Sequence, residues 1–229
     1  MNDPILPCHS YIFFDTEIAG GSVSNVERER EEESFLNFIE ERAAKTGIIF
    51  HSYATLGFKA GTRFMLHVNA AKPEGTQLFL RDILHTPLGS RLKVSYTLFG
   101  MTRESPYKPS AAQTDPKPAA ANQPHKYLIV YPFTKTIEWH LLPFEKRREV
   151  MKAHVEVGRK WSKTVSQLLL YSYGIDDHEF VVSYYTDNLD DFQSLVMDMR
   201  ATESRRHTKS DTPIFLCIHA LLAEALSML

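Results

Sequence analysis

The chain has 229 residues, a formal net charge of −2 and 24% charged residues, so it lacks the basic field typical of nucleic-acid-binding proteins. Its two cysteines, Cys8 and Cys217, are too few for a disulfide framework or a cysteine-based zinc site. No segment approaches the roughly 18 apolar residues of a membrane span, and no basic region precedes an apolar run near the N-terminus, so a cytoplasmic protein without a membrane segment is expected.

The first half of the chain predicts the order β-α-β-β-α-β. An acidic stretch over 26–45 predicts a helix because Phe35, Phe38 and Ile39 share one apolar side. A second amphipathic helix is predicted over 73–85, with a proline at its first position. Four β-rich runs flank these helices, at 10–17, 48–57, 63–71 and 92–101.

A segment rich in Pro, Ala and small polar residues separates this half from the next. Residues 104–123 read ESPYKPSAAQTDPKPAAANQ and have no apolar periodicity, which is typical of a linker. The predicted organisation is therefore an N-terminal unit at 1–103, a linker at 104–125 and a C-terminal unit at 126–229.

The second half predicts the same order of elements. Val150, Met151, His154, Gly158 and Trp161 follow Pro143 at helical spacing. Further β-rich runs occupy 126–133, 164–173, 178–186 and 213–220. A second helix, which Asp187 or Asn188 can cap, has an apolar face made of Phe192, Leu195, Val196 and Met199. Periodicity alone would also allow one helix from 144 to 173. We place a break near Ser162 because the residues that follow favour a strand.

Matched landmarks in the two halves are separated by one constant offset. Ser10 and Tyr127 begin the first strands, Gly57 and Gly174 mark the turns before the third strands, and both pairs are 117 residues apart. We therefore predict an α+β fold of two tandem ferredoxin-like (βαββαβ) units, which can join their sheets into a dimeric α+β barrel within one chain.

His154 and Gln167 are the polar residues of interest in this arrangement. On one straight helix they would lie on opposing sides, but a helix and the following strand can both point into the layer between helices and sheet. A neutral imidazole is a good ligand for haem iron, with the other face of the porphyrin left open. The alternative for His154 is a hydrogen-bonded core histidine.

The order of these motifs resembles the chlorite dismutase-like haem proteins. The resemblance rests on Met151-Lys152-Ala153-His154, on Val130-Tyr131-Pro132-Phe133, and on a polar residue 13 positions after the histidine. It implies that His154 is the proximal ligand of haem iron. At the position where chlorite dismutases carry an arginine this chain has Gln167, and a glutamine there is similar to the coproheme decarboxylase branch.

The resemblance also assigns roles to other residues. Tyr131 matches a tyrosine oxidised to a radical, and Lys135 a lysine beside the same propionate. Trp139 matches a tryptophan at the haem edge, and Glu203 an acidic residue that accepts the free N–H of the ligating histidine. Without the resemblance, the pattern around each of these residues also fits a residue with no role in a site, namely a strand-end tyrosine, a solvated lysine, a core tryptophan and a surface acid. The family's propionate-binding arginine has no counterpart between Arg103 and Arg147, and the candidates to replace it are Lys117, Lys126 and Tyr107.

The resemblance implies a peroxide-dependent oxidoreductase that converts iron coproporphyrin to haem b. The alternatives are a chlorite dismutase, a haem peroxidase, or a haem-binding protein without catalytic activity. The expected partners are a porphyrin and peroxide, without nucleic acid or membrane, and the resemblance implies a homopentamer.

Overall fold

The structure is a computed structural model, and it describes residues 7–16, 25–104, 107 and 125–227. The elements of its first part are β1 (Cys8–Thr16), α1 (Asn25–Thr46), β2 (Ile49–Ala54), β3 (Phe64–Ala70), α2 (Pro73–Leu84) and β4 (Leu92–Met101). Those of its second part are β5 (Tyr127–Lys135), α3 (Ile137–Leu141), α4 (Phe144–Trp161), β6 (Val165–Tyr171), β7 (Phe180–Thr186), α5 (Leu189–Arg200), β8 (Thr208–Ser210), β9 (Phe215–His219) and α6 (Leu222–Leu226). The fold is a mixed α+β fold with a large antiparallel sheet.

The boundaries agree closely with the sequence. The predicted break near Ser162 is confirmed, because α4 ends at Trp161 and β6 begins at Val165. The short helix α3 was not predicted. Its first turn is capped by the side chain of Thr136, which accepts a hydrogen bond from the backbone N–H of Trp139. Most of the predicted linker at 104–125 lies outside the described residues.

The chain divides into two compact units, and the division differs from the sequence-based boundary. Of the described residues, one unit holds 7–16, 25–101 and 217–227, and the other holds 102–104, 107 and 125–216. Residues 217–227 therefore belong with the N-terminal unit, although the sequence grouped them with the C-terminal one. Ile218 and His219 pair with strand β2, and the hydroxyl of Ser52 donates to the carbonyl of Ala220 at 2.7 Å.

The N-terminal unit has the antiparallel strand order β4–β1–β3–β2, followed by the end of β9. Helices α1, α2 and α6 cover one face of this sheet with fully buried side chains. Burying one such side chain stabilises the unit by about 1.5–3 kcal/mol. The largest contributions come from Phe35, Ile39, Phe79, Ile83 and Leu226, which are at most 1% exposed.

The C-terminal unit has the antiparallel strand order β6–β7–β5–β8. In this register Gln167 lies opposite Tyr184, and Tyr131 lies opposite Val182. Directly paired residues share one face of a sheet, and side chains alternate faces along a strand. Gln167, Tyr184, Val182 and Tyr131 therefore share the face on which α4 and α5 pack.

Two glycines close equivalent loops in the two units. Gly57 lies between β2 and β3 with φ +87°, and Gly174 lies between β6 and β7 with φ +70°. Residues with a Cβ rarely adopt this left-handed conformation, which explains the glycine at both positions. Among the described residues, no helix is both long enough and apolar enough to cross a membrane.

Candidate active site

The layer between α4, α5 and the sheet of the C-terminal unit has few fully buried side chains. Val165, Val182, Tyr184 and Leu195 are its buried members, and half-buried side chains such as Val157 and Trp161 of α4 pack against them. No residue of α4 is buried, although the helix carries an apolar stripe toward the sheet. Part of that stripe is therefore accessible, next to His154.

His154 is held in a defined orientation within this layer. It lies on α4 one turn before Val157, it is half-buried, and its Nδ1 is 3.1 Å from the hydroxyl oxygen of Ser204. Burial and, to a smaller extent, the positive charge of Lys135 together lower the pKa of His154 to about 4. The imidazole is therefore neutral at pH 7, which is the form that binds iron.

The structure replaces Glu203 with Ser204 as the hydrogen-bond partner of His154. The carboxylate of Glu203 is more than half exposed and forms an ion pair with Arg206 at 3.2 Å. Ser204, the next residue, is 4% exposed and turns inward. Both lie in a 3-10 segment, Glu203–His207, that follows α5. The sequence reasoning looked for a carboxylate and so missed a hydroxyl one position further along.

Tyr131 lies on β5 beside a second tyrosine that the sequence reasoning did not single out. Its ring centroid is 6.0 Å from that of Tyr184, with the rings 25° from parallel. Burial raises the pKa of Tyr131, while a hydrogen bond with Tyr184 opposes this shift. Burial raises the pKa of Tyr184 more strongly. Both phenols are therefore protonated at pH 7, and Tyr184 could have been found from its pairing with Gln167.

Lys135 lies at the end of β5 close to Trp139. Its Nζ is 4.7 Å from the centroid of the Trp139 ring, and its backbone N–H donates to the carboxylate of Glu179 at 2.7 Å. Burial lowers the pKa of Lys135 to about 8; the charge of Glu179 opposes the shift and that of Arg205 adds to it. The positive charge of Lys135 also lowers the pKa of His154.

Trp139 is 3% exposed and belongs to an aromatic group at the edge of this layer. Its ring centroid is 5.4 Å from that of His207 and 6.3 Å from that of Tyr107. Tyr107 also stacks on Phe144 at 5.8 Å. Of the other candidates for propionate binding, Lys126 packs over the ring of Tyr127 at 5.1 Å, and Lys117 lies outside the described residues.

Gln167 is exposed, although it lies on the helix-facing side of the sheet. Its neighbours on the same face, Tyr184 and Val182, are buried. The sheet is therefore uncovered at the position of Gln167. The side chain there is uncharged and can both donate and accept hydrogen bonds.

The sequence of this chain matches the family model described as chlorite dismutase over residues 28–220. The chain belongs to the chlorite dismutase family. Among its relatives in this family is a coproheme decarboxylase from Mycolicibacterium smegmatis, which is 28% identical over 78% of this chain and 76% of the relative. A chlorite dismutase from Ideonella dechloratans is 24% identical over 85% of this chain and 70% of the relative.

Solved structures of the chlorite dismutase family share this fold. A mutant chlorite dismutase from Candidatus Nitrospira defluvii superimposes with a TM-score of 0.87 at 26% identity, over 96% of this chain and 94% of that one. Family members named in these comparisons are enzymes with two different activities. The family alone therefore does not select a reaction, and the side chains of the site have to be considered.

Proposed function

We propose that the protein binds iron coproporphyrin through His154 and uses peroxide to decarboxylate it to haem b. The observation that carries the proposal is a neutral His154, oriented by Ser204, on a half-exposed helix that packs on the same sheet face as Tyr131 and the uncharged Gln167. The half-exposed apolar stripe of α4 suits the flat face of a porphyrin, and the neutral imidazole suits its iron. The residues present therefore fit the group.

Bound iron porphyrin would supply a redox centre that passes oxidising equivalents from peroxide to the protein. Tyr131 would give up an electron and its phenolic proton, and its radical would then take a hydrogen atom from a propionate methylene. Loss of a further electron from the propionate releases carbon dioxide and leaves a vinyl group. Hydrogen peroxide takes up both electrons with two protons and becomes water. The ring of Tyr184, stacked on that of Tyr131 with centroids 6.0 Å apart, packs against the phenol that takes part in this step.

The charges around Tyr131 support a substrate that carries carboxylates. Among the charges that affect the pKa of Tyr131 are one carboxylate, Asp211, which raises it, and two cations, Arg200 and Arg205, which lower it. Lys135 lies on the same strand as Tyr131. Asp211 accepts from Arg205 at 2.6 Å, which leaves Lys135 and Arg200 as the cations less tightly paired. Coproporphyrin carries more propionates than haem b, so a cationic surround favours the substrate over the product.

Gln167 favours decarboxylation over chlorite chemistry. A fixed positive charge over the open face would retain an oxychlorine anion, and a neutral amide cannot supply one. The similarity to the coproheme decarboxylase from Mycolicibacterium smegmatis supports the same choice. The second candidate is chlorite dismutation, which the similarity to the enzyme from Ideonella dechloratans favours.

The proposal extends to the architecture. The element order β-α-β-β-α-β and the strand order β4–β1–β3–β2 support a ferredoxin-like arrangement of the N-terminal unit. The joining of the two units into a barrel stays a prediction.

The homopentamer also stays a prediction. Light scattering should give the mass of five 26.3 kDa chains.

The function is tested by mixing the porphyrin-free protein with iron coproporphyrin, adding peroxide and following the products by mass spectrometry. Stepwise loss of two carboxyl groups is expected. Tyr131→Phe should abolish this loss while porphyrin binding is retained, because only the phenolic O–H is removed. Tyr127→Phe, on the same strand, is the matched control. Full activity of the Tyr131→Phe variant, or oxygen release from chlorite without decarboxylation, would overturn the proposal.

A further inference from the structure

A chain of hydrogen bonds leads from His154 to a backbone carbonyl of α5. Nδ1 of His154 is 3.1 Å from Oγ of Ser204, which is 2.9 Å from Oγ1 of Thr202. The hydroxyl of Thr202 donates to the carbonyl of Met199 at 2.7 Å. Ser204 is 4% exposed, so water has little access to compete for its hydroxyl.

The direction of every bond in this chain follows from counting protons. A hydroxyl has a single proton, and a carbonyl can only accept. Thr202 uses its proton on the carbonyl of Met199, so in its contact with Ser204 it must accept. Ser204 then uses its own proton on Thr202 and has only lone pairs left for His154. Nδ1 of His154 must therefore carry a proton and donate it to Ser204.

We propose that Ser204 is a positioning residue, which holds His154 as the Nδ1–H tautomer and so leaves the lone pair on Nε2 for iron. The inference rests on the proposed function for the identity of the metal, but the tautomer is a property of this chain alone. An isolated neutral imidazole has no partner to select one nitrogen, whereas here the protein makes the selection before any porphyrin binds.

A hydroxyl acceptor has a different effect on a ligating imidazole from that of a carboxylate. A carboxylate draws the N–H proton toward itself and increases the electron density that the imidazole gives to a metal. A hydroxyl whose own proton is donated elsewhere is a weaker acceptor. Iron bound by His154 should therefore be less electron-rich with Ser204 as the acceptor than with a carboxylate there. Its midpoint potential should be correspondingly higher. The nearest carboxylate in sequence, Glu203, is instead paired with Arg206.

The tautomer can be read without porphyrin by nitrogen NMR of protein labelled with 15N-histidine, with the His154 signals identified by their loss in His154→Ala. The parent should show a protonated Nδ1 and a bare Nε2. Ser204→Ala should shift His154 toward the Nε2–H form, and Ser204→Thr should restore the parent pattern. Ser162→Ala, an exposed hydroxyl at the end of the same helix, should change nothing.

Thr202→Val gives the sharpest test, because it leaves Ser204 intact and removes only the acceptor of its proton. Ser204 is then free to donate to Nδ1, so His154 should convert largely to the Nε2–H form. A parent in the Nε2–H form, or a tautomer unchanged in both Ser204→Ala and Thr202→Val, would overturn the inference.

Porphyrin-loaded protein separates this inference from the proposed function. Ser204→Asp should lower the midpoint potential of bound iron, and Ser204→Thr should leave it near that of the parent. A parent that has the expected tautomer but binds no iron porphyrin would defeat the proposed function and leave the tautomer assignment standing. If the porphyrin-free parent instead has the Nε2–H tautomer and still binds iron porphyrin through His154, the tautomer assignment is defeated and the proposed function stands.

Discussion

The helix layers of the two units are built from the same order of elements but are filled differently. In the N-terminal unit, α1 and α2 bury Phe35, Ile39, Phe79 and Ile83 completely. In the C-terminal unit, α4 buries no residue at all, and the polar His154 lies in its apolar stripe. The same arrangement of helices on a sheet therefore forms a fully buried core in the N-terminal unit. In the C-terminal unit it leaves half-exposed side chains around a candidate ligand.

The largest effect is expected from removing the ligand without disturbing the packing. His154→Ala should abolish iron ligation, seen as loss of the Soret band on addition of iron coproporphyrin. The far-UV circular dichroism should stay unchanged, because α4 contributes no buried side chain to the unit. Lys152→Ala, exposed on the same helix, is the control. A parent-like Soret band in His154→Ala would remove this residue from the site.

Truncating large side chains tests the difference in packing directly. Phe79→Ala removes a fully buried ring from the N-terminal core and should lower the free energy of unfolding by about 3–5 kcal/mol. Met151→Ala, on the half-exposed stripe of α4, should cost about 1 kcal/mol. Chemical denaturation of the porphyrin-free protein measures both. Equal costs would mean that the two layers are filled alike.

Acid should weaken the N-terminal unit through His67. This residue is completely buried, its Nε2 is 3.1 Å from Nδ1 of His9, and its ring stacks on Tyr11 at 4.3 Å. Burial holds its pKa well below 6.5, and the nearby His9 and His51 lower it further. The unfolded chain takes up a proton below about pH 6.5, whereas the folded chain does not, so stability is full above that pH and falls below it.

The expected loss is up to about 1.4 kcal/mol per pH unit for one such histidine. Thermal denaturation between pH 7.5 and 5 measures the slope. His67→Phe keeps an aromatic ring beside Tyr11 and should flatten the pH dependence. His154→Ala, scanned in parallel, subtracts the contribution of His154, a half-buried histidine whose pKa is also lowered. A slope that is unchanged in His67→Phe would contradict the assignment.

The smallest effect is expected at the open edge of the layer. Gln167→Arg places a positive charge over the face opposite His154 and should raise chlorite turnover from its basal level. Because Gln167 is exposed, stability should change by no more than about 0.5 kcal/mol. Gln167→Lys introduces the same charge as Gln167→Arg but lacks the planar guanidinium group, so it should give a smaller increase in chlorite turnover. No gain in either variant would mean that charge at this position does not limit chlorite chemistry.

Local patterns predicted what depends on local structure. The bounds of β4 agree with the sequence at both ends, and the break between α4 and β6 was found because β-branched and aromatic residues follow Ser162. The placement of His154 on α4 followed from helical periodicity. These features depend on residues that are close together in the chain, so the sequence displays them directly.

Features that depend on distant partners were not predicted. Residues 217–227 have the same strand and helix propensities wherever they pack. Contacts with residues far away in the sequence, such as the pairing of His219 with Tyr53, assign them to the N-terminal unit. Ser204 was missed for a related reason, since a short 3-10 segment decides which of two adjacent side chains points inward. Neither choice leaves a periodic signal in the sequence.

The pairing of β9 with β2 has a consequence for biosynthesis. The N-terminal core contains Leu222, Ala225 and Leu226 of α6, which a ribosome adds more than a hundred residues after β4. The C-terminal unit between them must be synthesised before the N-terminal unit can bury those side chains. During translation the unit that emerges first is therefore completed last, and the apolar face that α6 covers stays open until α6 has been synthesised.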